Sequence, residues 1–410
     1  MDRPKVAVVR CPGYRAEFLS AALGRALELI GGLGRILNPR ARVFVKVNHL
    51  SSFAPPERAI NTHPDFVQQA VQVLLDHGAE VTVGDDIAST GDDGFLATGY
   101  RRVCAGLGVR LVNLKETGFA EVAIRGSVLD RAYIARPVLE ADFLVNLPKL
   151  KTHSFAVFSG AVKNMYGVIP LGLRHDFHRR YIRNDVFSQM LVDLFSAVPP
   201  HLTVMDAVVG MEGEGPSGGK PKPIGLILAG VDGVAVDAVA TKIVGYDPAE
   251  VFTTAHAGDR KIGVADLRQI DVVGERIQDV AVKDFRPSAA AVKLFRKKIP
   301  SLLYAIIQDQ LVLIPEVLPD VCTACQECVR ICPRGAVRLV GRAAWVDEEE
   351  CIHCLCCHEV CPHLAIRLKQ LPVGRLISIG SGAGRRLKAL FRRAAGGRGE
   401  GPRDALRNSS

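Results

Sequence analysis

The sequence predicts an α/β protein. We expect its main domain to be a mainly parallel sheet with helices on its faces, followed by a small α+β domain. Over residues 1–290, short apolar segments alternate with helix-like segments, which is typical of a parallel sheet covered by helices. Closer to the end, eight of the 11 cysteines repeat one spacing within residues 322–361. That repeat marks a separate unit.

Seven segments have the length and composition of buried strands. Each is a run of four to six residues that is rich in Val, Ile or Leu, as expected for strands covered on both faces. The segments are Val6–Arg10, Val43–Val47, Val81–Gly84, Val109–Asn113, Phe143–Leu147, Thr203–Asp206 and Ile224–Ala229.

The clearest helix lies between the second and third of these strands. Thr62 and His63 provide its cap, Pro64 suits the first helical position, and Asp65 lies in the first turn. Apolar residues then recur at helical spacing until Gly78 ends the helix. This strand–helix order favours parallel strands, whose carboxyl ends form the ligand-binding edge of such sheets.

The cysteine-rich segment contains two copies of the motif Cys-x2-Cys-x2-Cys-x3-Cys-Pro. The first copy runs from Cys322 to Pro333 and the second from Cys351 to Pro362. This run binds two [4Fe–4S] clusters in bacterial-type ferredoxins, where the fourth cysteine of each copy ligates the cluster of the other copy. Paired Cys-x2-Cys motifs also form zinc sites, but zinc does not explain the third and fourth cysteines or the prolines.

We therefore expect two [4Fe–4S] clusters in a ferredoxin-like domain. Cys356 breaks the x2 spacing and is expected not to bind iron. Residues 342–347 are expected to form a hairpin strand between the two copies. The predicted ligands are Cys322, Cys325, Cys328 and Cys361 for cluster 1, and Cys351, Cys354, Cys357 and Cys332 for cluster 2.

The chain divides into four predicted parts. Residues 1–290 form the α/β domain, residues 291–318 a helical linker, residues 319–370 the ferredoxin-like domain, and residues 371–410 a tail. The tail has nine Arg or Lys residues, two acidic residues and many glycines, so we expect it to be disordered and solvated. The alternative is a peripheral contact with an anionic membrane surface or an acidic partner.

The composition of the chain and its first residues indicate which partners and which cellular location to expect. No recognisable nucleic-acid-binding module accompanies the net charge of +9, so nucleic acid is not expected as a partner. The first residues lead directly into a strand without the apolar region of a signal peptide. No uncharged apolar run approaches the ~20 residues that a membrane span needs. Because thiols that serve as cluster ligands need a reducing compartment, the expected location is the cytoplasm.

Basic and polar side chains gather where the predicted strands end. Lysine supplies positive charge and histidine transfers protons near neutral pH, so we expect a site for an anionic small molecule at one crevice. The alternative is that these lysines are solvated on an exposed edge. The residues expected to be catalytic are Lys149, Lys151, His153, Lys163, Tyr166 and His175, and those expected to bind substrate are Lys46, Asn48, His63, Asn164, Asp206 and Glu212.

Acidic residues also follow the predicted strands. Asp85 and Asp86 come directly after one strand, and Asp206 ends another. Carboxylates at these positions are suited either to binding a metal ion or to orienting the lysines. There is no Walker loop, and no Gly-x-Gly-x-x-Gly lies between a strand and a helix, so a nucleotide site is not supported.

These segments, in this order, resemble the DUF362 domain family, whose members are often fused to a 2×[4Fe–4S] ferredoxin module. The chain departs from the family's usual Lys-Pro-Asn-Leu at Val47. The resemblance implies the α/β fold and the fused redox module, and it supplies no reaction. The segments that carry it are Lys46–Asn48, Thr62–Pro64, Asn146–His153, Lys163–Gly167, Asp206, Met211–Pro216, Asp232 and Asp237.

Three functions compete at this stage. The first is an iron–sulfur reductase, in which the clusters pass electrons from a redox partner protein or other low-potential donor to an anionic substrate in the α/β domain. The second is an electron-carrier subunit that docks to a larger complex. The third is a non-redox enzyme that handles metal or phosphate and has structural clusters. Polar residues at so many strand ends favour the first, since a carrier does not need them.

Overall fold

The computed structural model describes residues 3–87, 93–290 and 312–372. All seven predicted strands are confirmed within the first two ranges, and with them the α/β class. The strands are β1 (Lys5–Arg10), β2 (Arg42–Val47), β3 (Glu80–Asp85), β4 (Arg110–Asn113), β5 (Phe119–Ala123), β6 (Arg131–Ala135), β7 (Phe143–Leu147), β8 (Lys149–His153), β9 (Val157–Ser159), β10 (Leu202–Glu212), β11 (Lys220–Gly230) and β12 (Asp271–Gly274).

Ten of these strands form one mainly parallel sheet in the described residues. The order is β12-β1-β11-β10-β7-β2-β3-β4, and β8 and β9 join it beside β10. β1, β10, β7, β2, β3 and β4 run in one direction. β11 runs antiparallel because only residues 213–219 join it to β10, and a parallel crossover needs a longer connection. β5 and β6 form a separate hairpin.

The helices cover this sheet, and the best predicted one is α2. His63 caps it, since its Nδ1 accepts the Asp65 N–H at 3.2 Å, whereas the Thr62 hydroxyl donates to the Leu147 carbonyl at 2.7 Å. The helices are α1 (Ala16–Leu29), α2 (Pro64–Asp76), α3 (Asp93–Ala97), α4 (Tyr100–Leu107), α5 (Arg136–Glu140), α6 (Ala161–Asn164), α7 (Leu171–Arg180), α8 (Asn184–Ala197), α9 (Gly233–Ile243), α10 (Phe252–Asp259) and α11 (Ile277–Val280).

Apolar side chains are buried on both faces of the sheet. In β10, Val204 and Val208 pack with α1 and α2 on one face, while Met205 and Ala207 pack with α9 on the other. This alternation is the two-residue period of a strand. A third apolar cluster holds α8 and the short α6. Asn146, near the end of β7, donates to the Ala161 carbonyl at 3.0 Å, which places α6 at the strand ends.

The ferredoxin-like domain is a small α+β unit. β13 (Leu313–Val317) pairs antiparallel with β16 (Ile366–Gln370), and β14 (Val337–Val340) pairs antiparallel with β15 (Ala343–Val346). Two short helices, α12 (Glu327–Ile331) and α13 (Cys356–Val360), carry motif cysteines. The predicted hairpin strand between the two motif copies is confirmed as β15.

The predicted helical linker is wrong at its end. Residues 313–317 form β13, because their backbone groups pair with β16 over five residue pairs. The ferredoxin-like domain therefore begins at Leu313. Residues 291–311 of the predicted linker, and residues 373–410 of the predicted tail, lie outside the described residues. Across the described ranges, no helix has the length and apolar character needed to cross a membrane.

Candidate functional site

A cavity lies at the carboxyl ends of the parallel strands, the usual ligand position in such sheets. β2, β8, α6 and α7 each supply a basic side chain to its wall. Seven of the residues predicted from the sequence line it, namely Lys46, Asn48, Lys151, His153, Lys163, Asn164 and Tyr166. Other lining residues include Asp85, Arg174 and Glu359.

The basic segment of residues 149–153, which follows the predicted strand β7, forms a strand of its own, β8. β8 pairs parallel with β10 and antiparallel with β9, so the backbone after β7 continues in the sheet. Lys149 and Lys151 are each only 1% exposed. The alternative interpretation of these lysines as a solvated, exposed edge is therefore wrong.

Lys149 belongs to a separate network. Its Nζ lies 2.8 Å from Asp206 Oδ2 and donates to the Tyr14 hydroxyl at 2.7 Å, and the His63 ring stacks on Tyr14 at 3.6 Å. The expectation that Lys149 and Lys151 converge at one crevice is wrong. Two residues span about 7 Å along a strand, and the two amines reach different partners.

Two more predicted residues also lie away from the cavity lining in the described residues. Glu212 accepts the Arg286 N–H at 2.9 Å, which fastens the end of β10 to residue 286. His175 lies on α7 with its side chain outside the lining, whereas its neighbour Arg174 is part of it. The structure therefore provides Arg174 where the sequence favoured His175.

The Lys46–Asp85 ion pair is held from several sides. Lys46 Nζ lies 2.7 Å from Asp85 Oδ1, and both side chains are buried. The same ammonium donates to the Val47 carbonyl at 2.8 Å. Asp85 accepts the N–H groups of His49 and Asp86 at 2.7 and 2.8 Å. Burial lowers the pKa of Lys46, and the Asp85 carboxylate opposes that shift.

The neighbouring acidic residue orients a second basic side chain. Asp86 Oδ2 lies 2.6 Å from an Arg174 guanidinium nitrogen. Within the described residues, no three His, Cys, Asp or Glu side chains are grouped to hold a single metal ion. The sequence leaves two roles open for Asp85 and Asp86, metal binding and the orientation of basic side chains. The structure shows the second role, since these carboxylates pair with Lys46 and Arg174.

Lys151 and Lys163 differ from the paired basic residues. Among the described residues, neither amine lies within the 4.0 Å ion-pair distance of a carboxylate. Lys151 Nζ donates to the Ile60 carbonyl at 2.7 Å, and Lys163 Nζ lies 4.7 Å from the centre of the Tyr166 ring. Burial, with the neighbouring Lys163 charge, lowers the pKa of Lys151 to about 7. An anion bound beside both amines would supply the missing counter-charge.

Tyr166 supports this arrangement through its ring. Its hydroxyl donates to the Arg174 carbonyl at 2.8 Å, so the phenol is already bonded to the α7 backbone. Burial raises the pKa of Tyr166 well above its usual value. The ring therefore holds Lys163 by cation–π attraction and ties α6 to α7.

The hydrogen bonds of His153 fix its tautomer. Nδ1 accepts the N–H groups of Phe155 and Ala156 at 3.0 and 3.1 Å, so the ring proton of the neutral imidazole is on Nε2. Nε2 lies 3.4 Å from Glu359 Oε1. Burial and the nearby lysine charges lower the pKa of His153 well below its usual value. The ring therefore presents an N–H donor to the cavity.

Asp237 fixes the helix that carries Lys163 and Asn164. Its carboxylate accepts the N–H groups of Ala161 and Val162 at 2.6 and 3.0 Å, at the start of α6. Burial raises the pKa of Asp237 to about 7. This residue thus positions two cavity side chains without lining the cavity itself.

The ferredoxin-like domain forms part of the cavity wall through α13. Glu359 lines the cavity, and the adjacent His358 has its Nε2 3.1 Å from the Glu214 carbonyl. Ser217 Oγ donates to the His358 carbonyl at 3.2 Å, and Leu355 is buried in the apolar cluster of β8 and β9. Nothing near Glu359 in the sequence indicates these contacts, because its partners lie more than 140 residues away.

Two further cavities lie inside the ferredoxin-like domain, and the motif cysteines line them. Cys356 lines the second cavity beside the predicted set, and it hydrogen-bonds with Cys354. Thiols that surround a cavity fit a cluster rather than one tetrahedral metal ion, whose ligands converge on a single point. The first cavity is lined by Cys322, Cys325, Cys328 and Cys361, and the second by Cys332, Cys351, Cys354, Cys356 and Cys357.

Comparisons with known proteins agree with both halves of the chain. The DUF362 family, a domain of unknown function, matches residues 43–242, and a 4Fe-4S dicluster domain matches residues 314–362. A thylakoid-associated protein of Synechocystis sp. is 31% identical over 252 residues, which cover 61% of this chain and 77% of that protein. This chain belongs to the DUF362 family. Its dicluster domain gives it the capacity to bind iron–sulfur clusters and to transfer electrons.

Two solved structures are distantly similar to this DUF362 protein. The lactate racemase apoprotein of Thermoanaerobacterium thermosaccharolyticum has 16% identity and a TM-score of 0.36, over 56% of this chain and 54% of that chain. A Thermotoga maritima protein has 14% identity and a TM-score of 0.37, over 57% of this chain and 60% of that chain. The chain thus spans less than two thirds of either protein, and neither likeness bears on activity.

Proposed function

We propose that this DUF362 protein is an iron–sulfur reductase for a small anionic molecule that binds in the strand-end cavity. In this proposal the two cysteine sets hold two [4Fe–4S] clusters, which supply single electrons at low potential. A redox partner protein or another low-potential donor returns the electrons. We keep the cytoplasm as the proposed location, because thiols that ligate clusters need reducing conditions.

The observation that carries the proposal is that α13 belongs to both sites. Cys357 lines the second cysteine cavity, and Glu359 lines the basic cavity. Two residues span at most about 7 Å of chain. A molecule in the basic cavity therefore lies beside the helix that carries a proposed cluster ligand, which favours electron delivery to that molecule.

The charge of the cavity supports an anionic substrate. Lys151 and Lys163 lack carboxylate partners in the described residues, and removing an ammonium from water without a counter-charge is unfavourable. Adding electrons to a bound carbonyl or conjugated carboxylate builds negative charge, which fixed donors stabilise in a cavity shielded from water. The two amines and the His153 Nε2–H are such donors.

Protons are also available in the cavity. A two-electron reduction takes two electrons and two protons, and the low pKa of Lys151, about 7, lets its ammonium release a proton near neutral pH. We propose that Lys151 donates one of these protons and that solvent water supplies the other, while Lys163 binds the substrate. The His153 imidazole donates a hydrogen bond from Nε2, since its Nδ1 is held by two backbone N–H groups.

Reoxidation of the reduced protein tests this function. We would reduce anaerobically reconstituted protein, remove the reductant, and add α,β-unsaturated or 2-oxo carboxylates while following the visible absorption. Lys163→Met is expected to slow reoxidation by these acids at least tenfold. The matched control is Lys242→Met, because Lys242 is exposed on α9.

The carrier interpretation predicts a different result. It predicts that an acceptor protein such as a ferredoxin reoxidises wild type and Lys163→Met at the same rate, and that no carboxylate does so faster than buffer. That outcome would exclude the reductase. The exposed Cys325 is compatible with both interpretations, since an electron donor or acceptor could approach the first cysteine cavity there.

A further inference from the structure

The net charge of the cavity follows from the ionisable side chains around it. Four basic side chains surround it, and three carboxylates accompany them. Lys46 is paired with Asp85 and Arg174 with Asp86. The remaining charges are those of Lys151, Lys163 and Glu359. With these three groups ionised and the lining histidines His49 and His153 neutral, because burial lowers their pKa values, one positive charge is left uncompensated. A bound anion favours the ionised amines, since its charge opposes the lowering of the Lys151 and Lys163 pKa values by burial.

Glu359 differs from the other two carboxylates in its origin and its partners. It is the carboxylate that the ferredoxin-like domain contributes to the lining. Its Oε1 faces His153 Nε2 at 3.4 Å, and its charge acts on both Lys151 and Lys163 without an ion pair to either. Burial raises the pKa of Glu359, and the Lys163 and Lys151 charges oppose that shift. A second domain thus places a carboxyl group inside a basic cavity.

The space available is small. The cavity volume is about 60 Å³, against the roughly 10–15 Å³ that one water needs by the same measure. A ligand there has only a few non-hydrogen atoms near the amines. It cannot keep a second charge far from Glu359.

Resting on the proposed function, we propose that the substrate is a small monoanion and that Glu359 is the residue that sets this limit. A single carboxylate neutralises the one spare positive charge of the cavity. A dianion, such as a phosphate ester or a dicarboxylate with both groups inside, would leave one negative charge beside Glu359 without a partner. Glu359 is therefore a specificity-determining residue supplied by the ferredoxin-like domain.

The preference for a monoanion over a dianion, which we call the charge rule, can be tested with two anions of the same shape. Methanesulfonate carries one negative charge and sulfate carries two, and both are tetrahedral. Binding would be measured by calorimetry on the oxidised, reconstituted full-length protein at constant ionic strength. Wild type is expected to bind methanesulfonate at least tenfold more tightly than sulfate. Glu359→Gln is expected to raise sulfate affinity at least tenfold and to remove or reverse the preference.

Two control variants show where the anion binds and whether a substitution in the ferredoxin-like domain alters binding by itself. Glu349→Gln, at an exposed position of the same domain, is expected to behave as wild type. Lys163→Met removes the spare charge and should abolish methanesulfonate binding, which separates the cavity from the basic tail. If Glu359→Gln does not assemble clusters, the wild-type ratio of methanesulfonate to sulfate affinity decides, because it tests the charge count directly. Sulfate preference in wild type, an unchanged ratio in Glu359→Gln, or unaltered binding in Lys163→Met would overturn the proposal.

This test does not depend on electron transfer. If the methanesulfonate preference and its reversal are observed but no carboxylate reoxidises the clusters, the charge rule stands and the reductase fails. If carboxylates reoxidise the clusters while Glu359→Gln leaves anion selectivity unchanged, the reductase stands and the role of Glu359 fails.

Discussion

Gly167→Ala should damage the cavity through one added methyl group. A Cβ at residue 167 would lie 2.5 Å from Asp85 Oδ1 and 2.8 Å from Lys46 Nζ. Both atoms are buried, and they pair with each other at 2.7 Å. The carboxylate cannot retreat easily, because the N–H groups of His49 and Asp86 hold it. The methyl group must therefore either strain or separate the ion pair.

The size of the effect follows from these two possibilities. Overpacking costs about 1–3 kcal/mol, and breaking a buried ion pair costs about 3–5 kcal/mol, so we expect a loss of about 3 kcal/mol. An unfolding entropy of roughly 2.1 cal/mol/K per residue, over a domain of about 290 residues, converts this into a fall in Tm of about 5 °C.

Thermal unfolding followed by circular dichroism under anaerobic conditions measures this shift. The control is Gly172→Ala, since a Cβ at Gly172 meets nothing within 4 Å and alanine favours the helix α7. Iron content is expected to be unchanged in both variants, because residue 167 belongs to the other domain. A Tm for Gly167→Ala within 1 °C of the Gly172→Ala value would refute the described packing around the ion pair.

Three further predictions concern the cysteines, Lys151 and the tail. Cys354→Ser should lower iron from about eight to about four atoms per chain, and Cys356→Ser should leave it unchanged; equal losses in iron analysis would contradict the ligand sets. The Lys151 amine should titrate with a midpoint near pH 7, against about 10.4 for an exposed lysine, as the pH dependence of its NMR chemical shift would show. The pKa of Lys151 is lower in the folded than in the unfolded protein, so its protonation below pH 7 destabilises the fold. Lys151→Met should therefore stabilise the protein most below pH 7 and progressively less towards pH 10. A difference in unfolding free energy that does not change with pH would argue against the shift. Truncation after Gln370 should leave a soluble protein with full iron content, and an insoluble, iron-free product would show that the tail packs on the core.

The strands and the cluster motif are predictable because their causes are local. Each strand is a short apolar run, and a buried strand needs little else. The cap of α2 depends on residues within one helical turn. The cysteine sets depend on a spacing that the chain repeats, and each set lines one cavity in the structure.

The residues that the sequence missed owe their positions to packing between distant segments. Arg174 and His175 are adjacent on α7, and only the packing of that helix decides which of them faces the cavity. Glu359 lies between two motif cysteines, where a solvated surface role is the default expectation for an acidic residue. Its role follows from its distance to His153, which is more than 200 residues earlier in the chain.

The errors have physical causes too. Residues 311–315 are a short apolar run, and such a run has no period that separates helix from strand. Pairing with the strand β16 decides in favour of a strand. Lys149 was expected in the cavity because its neighbours are there. Asp206 instead pairs with it, and the Tyr14 that completes this network had no motif to mark it.

One wall of the cavity belongs to the cysteine-rich domain, so the proposed function predicts that cofactor insertion and anion binding are thermodynamically linked. If the correct placement of α13 raises the anion affinity by some factor, a bound anion stabilises that placement by the same factor. Anion-saturated holoprotein should therefore lose iron to a chelator more slowly than anion-free holoprotein. The same reciprocity predicts that a chain with empty cysteine cavities binds the proposed anion less tightly than the cluster-loaded protein does.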